Sequence, residues 1–551
     1  MTWTLVEETS FPLRSIEGAS TTTAAFIGPA RYGPVDLEPE IITSLGEFER
    51  IYGDPDPLAY GGPPMSNYNW HAARAFFAEG GKRLYLSRVF RPLGSDESDK
   101  AADGHASAKL GGIVFRARYP GAFGTFTLRL TAKVAFGLGA EPGPGDRLGS
   151  VRLALEVLDA RDNSLGTWTD LVLEPTDPTG AVPGSLFAVF GAGPETRAVP
   201  IVATAEPGMS SLELLALLFA GSDGITDDIH AGHRLVLGVT RDIRLTGGND
   251  GLRPGAREYE GSDDADGRHL TGLKRLEAQD DISIVAAPGS TWDYDGDYRA
   301  DADAIIRLLL AHASTMRYRI AVIDSAPNQP IAEIRAMRAA LDSSHGAIYY
   351  PWVQVVDPVS HRPIALPPSG FVAGIFVRND LNRGVSKAPA NEVVNLASGL
   401  QTRLSKPEQA LLNAEDINCF RHFRRRGTLL WGARTLSRDS EWKYVNVGRY
   451  FAYLEQSIDR GTQWVVFEPN GENLWANVRR TIEDFLLNEW QSGAILGNKP
   501  DNAFFVRCDR TTMTQDDLDN GRLVCVIGVA PLKPAEFVIF RIGQWTVDHK
   551  P

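Results

Sequence analysis

Two aspartates stand where chemistry is often found. Asp324 and Asp357 each close an apolar run, YRIAVID (318–324) and AIYYPWVQVVD (347–357). Open α/β sheets build active sites beyond the carboxyl ends of such strands, so the pair is compatible with a metal-dependent α/β enzyme. Acidic residues at strand ends are also ordinary turn starters, and that reading is favoured here. The HAGH run at His230–His233 follows Asp227 and Asp228 and hints at zinc, but no third ligand stands at a recognisable spacing. DYDGD from Asp293 imitates a calcium loop, yet Tyr298 occupies the glycine position and Ala304 that of the bidentate glutamate. A P-loop, a GxSxG elbow and an HExxH helix are all missing from the sequence. Arg424–Arg426 reads as a solvated loop. The sequence thus implies no cofactor and no catalytic group.

Positioning such residues takes several domains, since 551 residues exceed one ordinary core. Hydrophobic content of 43% with 23% charged residues is ordinary for a globular protein. A net charge of −13 argues against a nucleic-acid binder, which is usually basic. Three cysteines, Cys419, Cys508 and Cys525, exclude a disulfide framework and fit a reducing compartment. The first residues, MTWTLVEETSF, resemble no secretory signal. The most apolar helix candidate, 212–220, is far shorter than the ~20 residues that span a bilayer. Cytoplasmic assembly without membrane insertion is expected.

The expected fold class is α/β multidomain: an α/β core carrying a mainly β insertion, plus an α+β C-terminal domain with exchanged terminal strands. Residues 1–24 read as an extended arm, because Pro12 interrupts any helix and the TTT run favours extended chain. An α/β domain follows in two pieces, 25–105 and 268–395, with AAFIG (24–28) as a buried strand and helices near 44–53 and 69–81. Its second piece alternates apolar strands with helices at 299–312 and 331–342, as in a covered parallel sheet. Residues 106–267, rich in Gly and Pro with short alternating segments, read as the insertion. An inner domain spans 396–535 and a strand arm 536–551.

Residues 472–490 form an amphipathic helix by spacing, with Leu474, Val478, Ile482, Phe485, Leu486 and Trp490 on one face. Asn470 is expected to cap it and Gly493 to stop it. Arg479, Arg480, Glu483 and Asp484 lie off the apolar face, where Arg479–Glu483 and Arg480–Asp484 are spaced for ion pairs. In the terminal EFVIFRI segment, Phe537, Val538, Ile539, Phe540 and Ile542 place apolar side chains on both faces of a strand. Such a strand belongs inside a sheet, either the domain's own or a neighbouring subunit's by β-augmentation. Trp3 and Leu5 suit the same role in the N-terminal arm.

Ordered motifs run along most of the chain. They include IEGASTTTAAFIGPARYGP (16–34), LTGGNDG (245–251), TGLKRLEAQDDISIVAAPG (271–289), WGARTLS (431–437), GTQWVVFEPN (461–470) and FFVRCDRTTMTQDDLDNGRL (504–523). In this order they resemble the contractile tail sheath proteins of bacteriophages and phage-tail-like injection systems; ARYPGAFG (117–124) is a looser match, and most of the insertion lies outside the resemblance. The resemblance implies a structural, non-enzymatic subunit forming helically stacked hexameric rings around an inner tube. It further implies baseplate and terminator partners, and contraction that drives the tube through a target envelope. It also implies that the 472–490 helix, with Arg479, Arg480, Glu483 and Asp484, faces the tube and that the two arms exchange between subunits. The alternatives are the Asp324/Asp357 enzyme and a noncontractile structural or adhesive protein.

Overall fold

The computed structural model describes residues 15–36, 38–94, 103–134, 151–173, 184–193, 196–209, 211–220, 239–263 and 270–536. The first apolar run becomes β1 (Thr23–Gly28), all six of its residues buried. β2 (Arg83–Arg88) lies parallel beside it. Two helices come between. In Leu45–Tyr52 the Ser44 side chain accepts from the Glu47 N–H, and Gly53 ends the helix at φ 89°. In Tyr68–Ala78 the Asn67 side chain accepts from the Trp70 N–H. Each polar side chain satisfies a donor that the first turn leaves free.

The chain then builds two small antiparallel sheets from β3 (Ser107–Leu110), β4 (Ile113–Ala117), β5 (Thr127–Val134), β6 (Val151–Leu158), β7 (Ser164–Val172), β8 (Ile201–Ala205) and β9 (Val239–Arg244). Their orders are β3-β4-β8 and β7-β6-β5-β9. Period-two alternation sends Leu128 and Leu130 of β5 and Leu153, Leu155 and Val157 of β6 to one buried face. The LTGGNDG motif has a structural task. Buried Asp250 accepts from the Ala59 and Ala122 N–H groups, both at 3.0 Å, and so ties these sheets to the first α/β segment.

The remaining strands are β10 (Ile284–Ala286), β11 (Ile320–Asp324), β12 (Gly346–Tyr350), β13 (Val353–Val356), β14 (Pro363–Leu366), β15 (Glu392–Val393), β16 (Gly399–Leu400), β17 (Ile417–Phe423) and β18 (Gly427–Trp431). The central sheet has eight strands in the order β15-β18-β17-β12-β11-β10-β1-β2. From β17 to β2 every pairing is parallel, and β18 runs antiparallel to both its neighbours. Two sequence expectations need correction. AIYYPWVQVVD is not one strand: Pro351 has no N–H for the ladder, so β12 stays in the central sheet and β13 pairs with β14 and β16 elsewhere. The sheet also runs past residue 396, because β17 and β18 complete it.

Both faces of the sheet are covered, as a parallel sheet requires. Phe26, Leu84, Leu86 and Ile284 face a cluster shared with helices Tyr68–Ala78 and Ser369–Arg383. Ala25, Ile27, Val285 and Ile323 face the opposite cluster, with helices Arg299–Met316 and Ile331–Ala339. The first pair of helices crosses closely at glycine. A Cβ on Gly370 would lie 2.7 Å from the Ala72 Cα, and one on Gly374 would lie 2.5 Å from the Phe76 carbonyl oxygen. The N-terminus of Ser369–Arg383 is held by Asp324, which accepts from the Ser369 N–H at 2.6 Å and its hydroxyl at 2.7 Å. Burial pushes the Asp324 carboxyl up to about 7, against the opposing effect of those two bonds.

Two outcomes are expected. Gly374→Ala, which by helix propensity alone would stabilise, should destabilise by about 1–3 kcal/mol because backbone must move; the urea midpoint with an unchanged m-value reads it. Asp324 binds its proton more tightly folded than unfolded, so its contribution is greatest below the unfolded value and is lost as pH rises from about 4 through about 7. Asp324→Asn, which can keep both Ser369 contacts, should flatten the stability profile across that window. An equally steep profile in the variant would assign the slope to other groups.

Candidate functional site

The crevice in which an open α/β sheet would hold a ligand is filled. Strand order reverses between β1 and β10, and ligands of such sheets bind beyond the carboxyl ends there. In this chain that place is lined by Pro29, Pro288, Gly289, Arg253 and Tyr298, with about 10 Å³ of free space. Arg253 closes it, its guanidinium lying 3.2 Å from the Tyr298 ring centroid and donating to the Trp292 carbonyl at 2.7 Å. The larger cavity, about 300 Å³, lies at the other end of the sheet beside Ser283, Ile320 and His345, where β10 to β12 begin.

The sequence-level candidates that fall among the described residues do not converge on a reactive centre. Asp324 is spent on a helix terminus. Asp357 accepts from the Val359 and Ser360 N–H groups at 3.3 and 3.0 Å and from the Ser360 hydroxyl, forming a turn. Slight burial pushes its carboxyl up, and those donors outweigh the effect and hold it low. Tyr298 of the calcium-like run donates its hydroxyl to the Pro254 carbonyl. Arg424–Arg426 form the exposed turn between β17 and β18. His230–His233, Asp227 and Asp228 lie outside the described residues. Among the described residues no His/Cys/Asp/Glu group of three or more is placed to hold a metal ion, and no helix is long and apolar enough to cross a membrane.

The C-terminal third offers surfaces instead. Helix Val445–Thr462 packs on helix Glu472–Gln491, where the Tyr450 and Tyr453 hydroxyls donate to the two carboxylate oxygens of Glu489 at 3.0 and 2.9 Å. Leu474, Val478, Ile482, Phe485 and Leu486 are buried as their spacing requires, and Trp490 is half-buried. Gly471, not Asn470, caps this helix; Asn470 instead accepts from the Trp475 indole N–H at 2.7 Å. Arg479 and Glu483 approach at 3.9 Å. Arg480 and Asp484 are exposed, without an ion-pair partner among the described residues. β19 (Phe504–Arg507) and β20 (Val526–Val529) form a two-stranded antiparallel sheet. Its inner face packs on the Glu472–Gln491 helix through Val506, while Phe505 and Val526 are 47% and 43% exposed.

Both chain ends enter the described region against helix Val445–Thr462. On the N-terminal side, the Ala19 N–H donates to the Ser457 hydroxyl at 2.9 Å. Arg449 donates to the Thr21 carbonyl and grips Asp380 with two bonds of 3.0 and 2.6 Å, both side chains almost fully buried. On the C-terminal side, the Asn446 amide donates to the Leu532 carbonyl at 3.0 Å. Buried Arg434, from the WGARTLS motif, forks onto Glu536. Burial pushes Glu536 up, but Arg434 outweighs it and holds the carboxyl below its usual range. Arg434 and Arg449 escaped sequence reasoning: the first stood in a quoted motif without a partner to suggest its role, and the second pairs with a residue far away in sequence. Trp3, Leu5, Phe537, Val538, Ile539, Phe540 and Ile542 lie outside the described residues.

Comparison with known proteins agrees with this emphasis on surfaces. Residues 269–436 match the phage tail sheath protein central domain and residues 437–544 the phage tail sheath C-terminal domain, together half of the chain. A prophage major tail sheath protein of Pseudomonas aeruginosa strain UCBPP-PA14 is 25% identical over 290 residues, 51% of this chain and 69% of that protein. The tail sheath protein of Salmonella phage ViI is 26% identical over 194 residues, 34% of this chain and 30% of that one. The fold is similar to the helical sheath of the anti-feeding prophage in its contracted state, at TM-score 0.54 and 22% identity over 98% of each chain. With both domain families matched in order and the fold shared end to end, the chain belongs to the phage tail sheath family.

Proposed function

We propose that this chain is the repeating subunit of a contractile sheath, linked into a mesh by its two terminal arms. The observation that carries the reading is the β19–β20 hairpin. Two strands alone leave two open edges, among the described residues, and an isolated two-stranded sheet is marginal. Strands from other copies would satisfy those edges by β-augmentation. Trp3–Glu7 of the N-terminal arm, with Trp3 and Leu5, and the Phe537–Ile542 segment are the strands assigned to them. Both continue from roots held on helix Val445–Thr462, near the hairpin's domain, which supports a link between neighbours. By family likeness the copies form stacked hexameric rings on an inner tube, with a baseplate and a terminator at the ends. Relatives solved as sheaths in the contracted state support one of the two packings that contraction requires.

In this reading the Glu472–Gln491 helix turns Arg479, Arg480, Glu483 and Asp484 to the tube, residues 106–267 lie on the outside, and assembly takes place in the producing cell's cytoplasm. No nucleotide or cofactor enters: contraction draws on subunit contacts that improve as the packing changes.

Deletion of residues 1–10, or of everything after Ala535, should give a folded subunit that forms no tubes by negative-stain microscopy. Hydrogen exchange should find both arms protected in tubes and unprotected in monomers; strong protection of both in a verified monomer would show that they close the subunit's own sheets. Reversing Arg479 and Arg480 to Glu should leave the monomer folded and weaken assembly on the tube, most clearly at low salt. Unchanged assembly there removes the role assigned to the two arginines.

A further inference from the structure

Cys508 and Cys525 are free thiols, the first buried and the second half-buried. The hairpin register pairs Phe504 with Val529 and Arg507 with Val526, so one further step sets Cys508 opposite Cys525. The ladder also fixes what kind of pair this is. Ala530 donates its N–H to the carbonyl of Ala503 directly opposite, at 2.9 Å, which makes that pair hydrogen-bonded. Hydrogen-bonded and open pairs alternate along an antiparallel ladder. Cys508 and Cys525 lie an odd number of steps from Ala503 and Ala530 and are therefore an open pair.

In open pairs the Cα atoms are ~4.5 Å apart and the side chains are at their closest, which lies at the short end of the ~4.4–6.8 Å range of disulfides. The two side chains share the hairpin's inner face with Phe504, Val506, Ile527 and Val529. The neighbouring Cys525 thiol holds the Cys508 thiol below its ordinary range despite burial. The Cys508 neighbour and burial push Cys525 up. Among the described residues no third ligand joins them, so a metal clip is not the reading.

We propose that Cys508 and Cys525 are a modification site, closing into a cross-strand disulfide when the protein meets a small-molecule disulfide oxidant. The half-buried Cys525 loses its proton to solvent and attacks one sulfur of the oxidant RSSR, releasing RS⁻, which takes up a proton. The Cys508 thiol then gives its proton to solvent and its thiolate attacks the Cys525 sulfur, forming the S–S bond and expelling the second RS⁻, protonated in turn. The pair gives up two electrons and two protons, and the oxidant becomes two RSH. The high proton affinity of Cys525 makes the first step slow. Contact with Cys508 makes the second fast, so the mixed disulfide does not accumulate. The bond pins β19 to β20 at the end that closes onto the 509–524 connection. Thiol–disulfide exchange is reversible, so a reducing compartment keeps the dithiol and an oxidising exterior closes it. The inference holds independently of the proposed sheath mechanism.

The test uses full-length protein incubated with oxidised glutathione under native conditions, then alkylated, digested and analysed by mass spectrometry. The expected result is a Cys508–Cys525 linked peptide, Cys419 still reduced, and an upward shift in melting temperature that dithiothreitol reverses. Cys508→Ser should instead accumulate glutathione on Cys525 and show no upward shift. The proposal is overturned if wild-type Cys525 also accumulates glutathione, if both thiols remain alkylatable after prolonged oxidation of folded protein, or if the only disulfides link separate chains.

Discussion

The buried Arg449–Asp380 pair is the joint on which the rest of the molecule depends. Asp380 belongs to the helix covering the central sheet, and Arg449 to the helix that carries the C-terminal domain. Thr21, on the way into β1, completes the joint: its carbonyl accepts from Arg449 and its hydroxyl donates to Asp380 at 2.7 Å. Arg449 also lies 4.8 Å from the Phe376 ring centroid. Removing one partner of a buried pair leaves a charge without its counter-ion, at about 3–5 kcal/mol. The geometry is therefore all-or-none, and it fixes in one place how the sheet, the C-terminal domain and the N-terminal root meet. In the proposed contractile mesh such a joint matters, because a compliant one would absorb the displacement.

Local pattern made much of this legible in the sequence. β1 and β11 read as buried strands because apolar residues at successive positions must face two covered sides. Helix Glu472–Gln491 read correctly because its apolar residues repeat at three- and four-residue spacing. What failed was non-local. No local signal says that β17 and β18 extend a sheet whose first strand lies some 400 residues earlier; Pro351 marks a break before β13, but not the partners β13 finds beyond it. Asn470 was a sound capping candidate by type, but the Trp475 indole competes for its carbonyl oxygen, and Gly471 needs no side chain to start the helix. The ion pairs of Arg434 and Arg449 depend on tertiary approach alone, so residue type foretold neither.

The doubly wound topology explains why this chain invites an enzymatic reading and why, among the described residues, the strand-order switch holds no open crevice. A strand-order switch normally leaves a crevice, since the connections on its two sides diverge. In this chain the Arg253 guanidinium, stacked on Tyr298 and Trp292, takes up that volume. Asp324, at the carboxyl end of the neighbouring strand, has both oxygens committed to Ser369. The scaffold is shared with ligand-binding sheets, and side-chain volume at one point turns it into packing.

The same logic bears on how the proposed sheath subunit could be rigid and yet join a polymer that rearranges. Within the subunit, close glycine crossings at Gly370 and Gly374 and buried ion pairs resist small displacements, because packed interiors move between discrete arrangements rather than deforming continuously. The chain ends leave this body from anchored roots, one at Ala19–Thr21 and one at Leu532–Glu536. The proposed mesh asks of each arm that a backbone link of a few residues swing about such a root while its far end keeps a ladder of hydrogen bonds, each directional and hard to exchange under load. In the proposed mesh, rigidity and reach are thereby separated: the body carries the force, and the arms preserve connectivity as the bodies reorient. Arg434 on Glu536 marks where one regime passes into the other, since its guanidinium is fixed by the Asn413 carbonyl and Asp416 on the body side and by the arm's first carboxylate on the other.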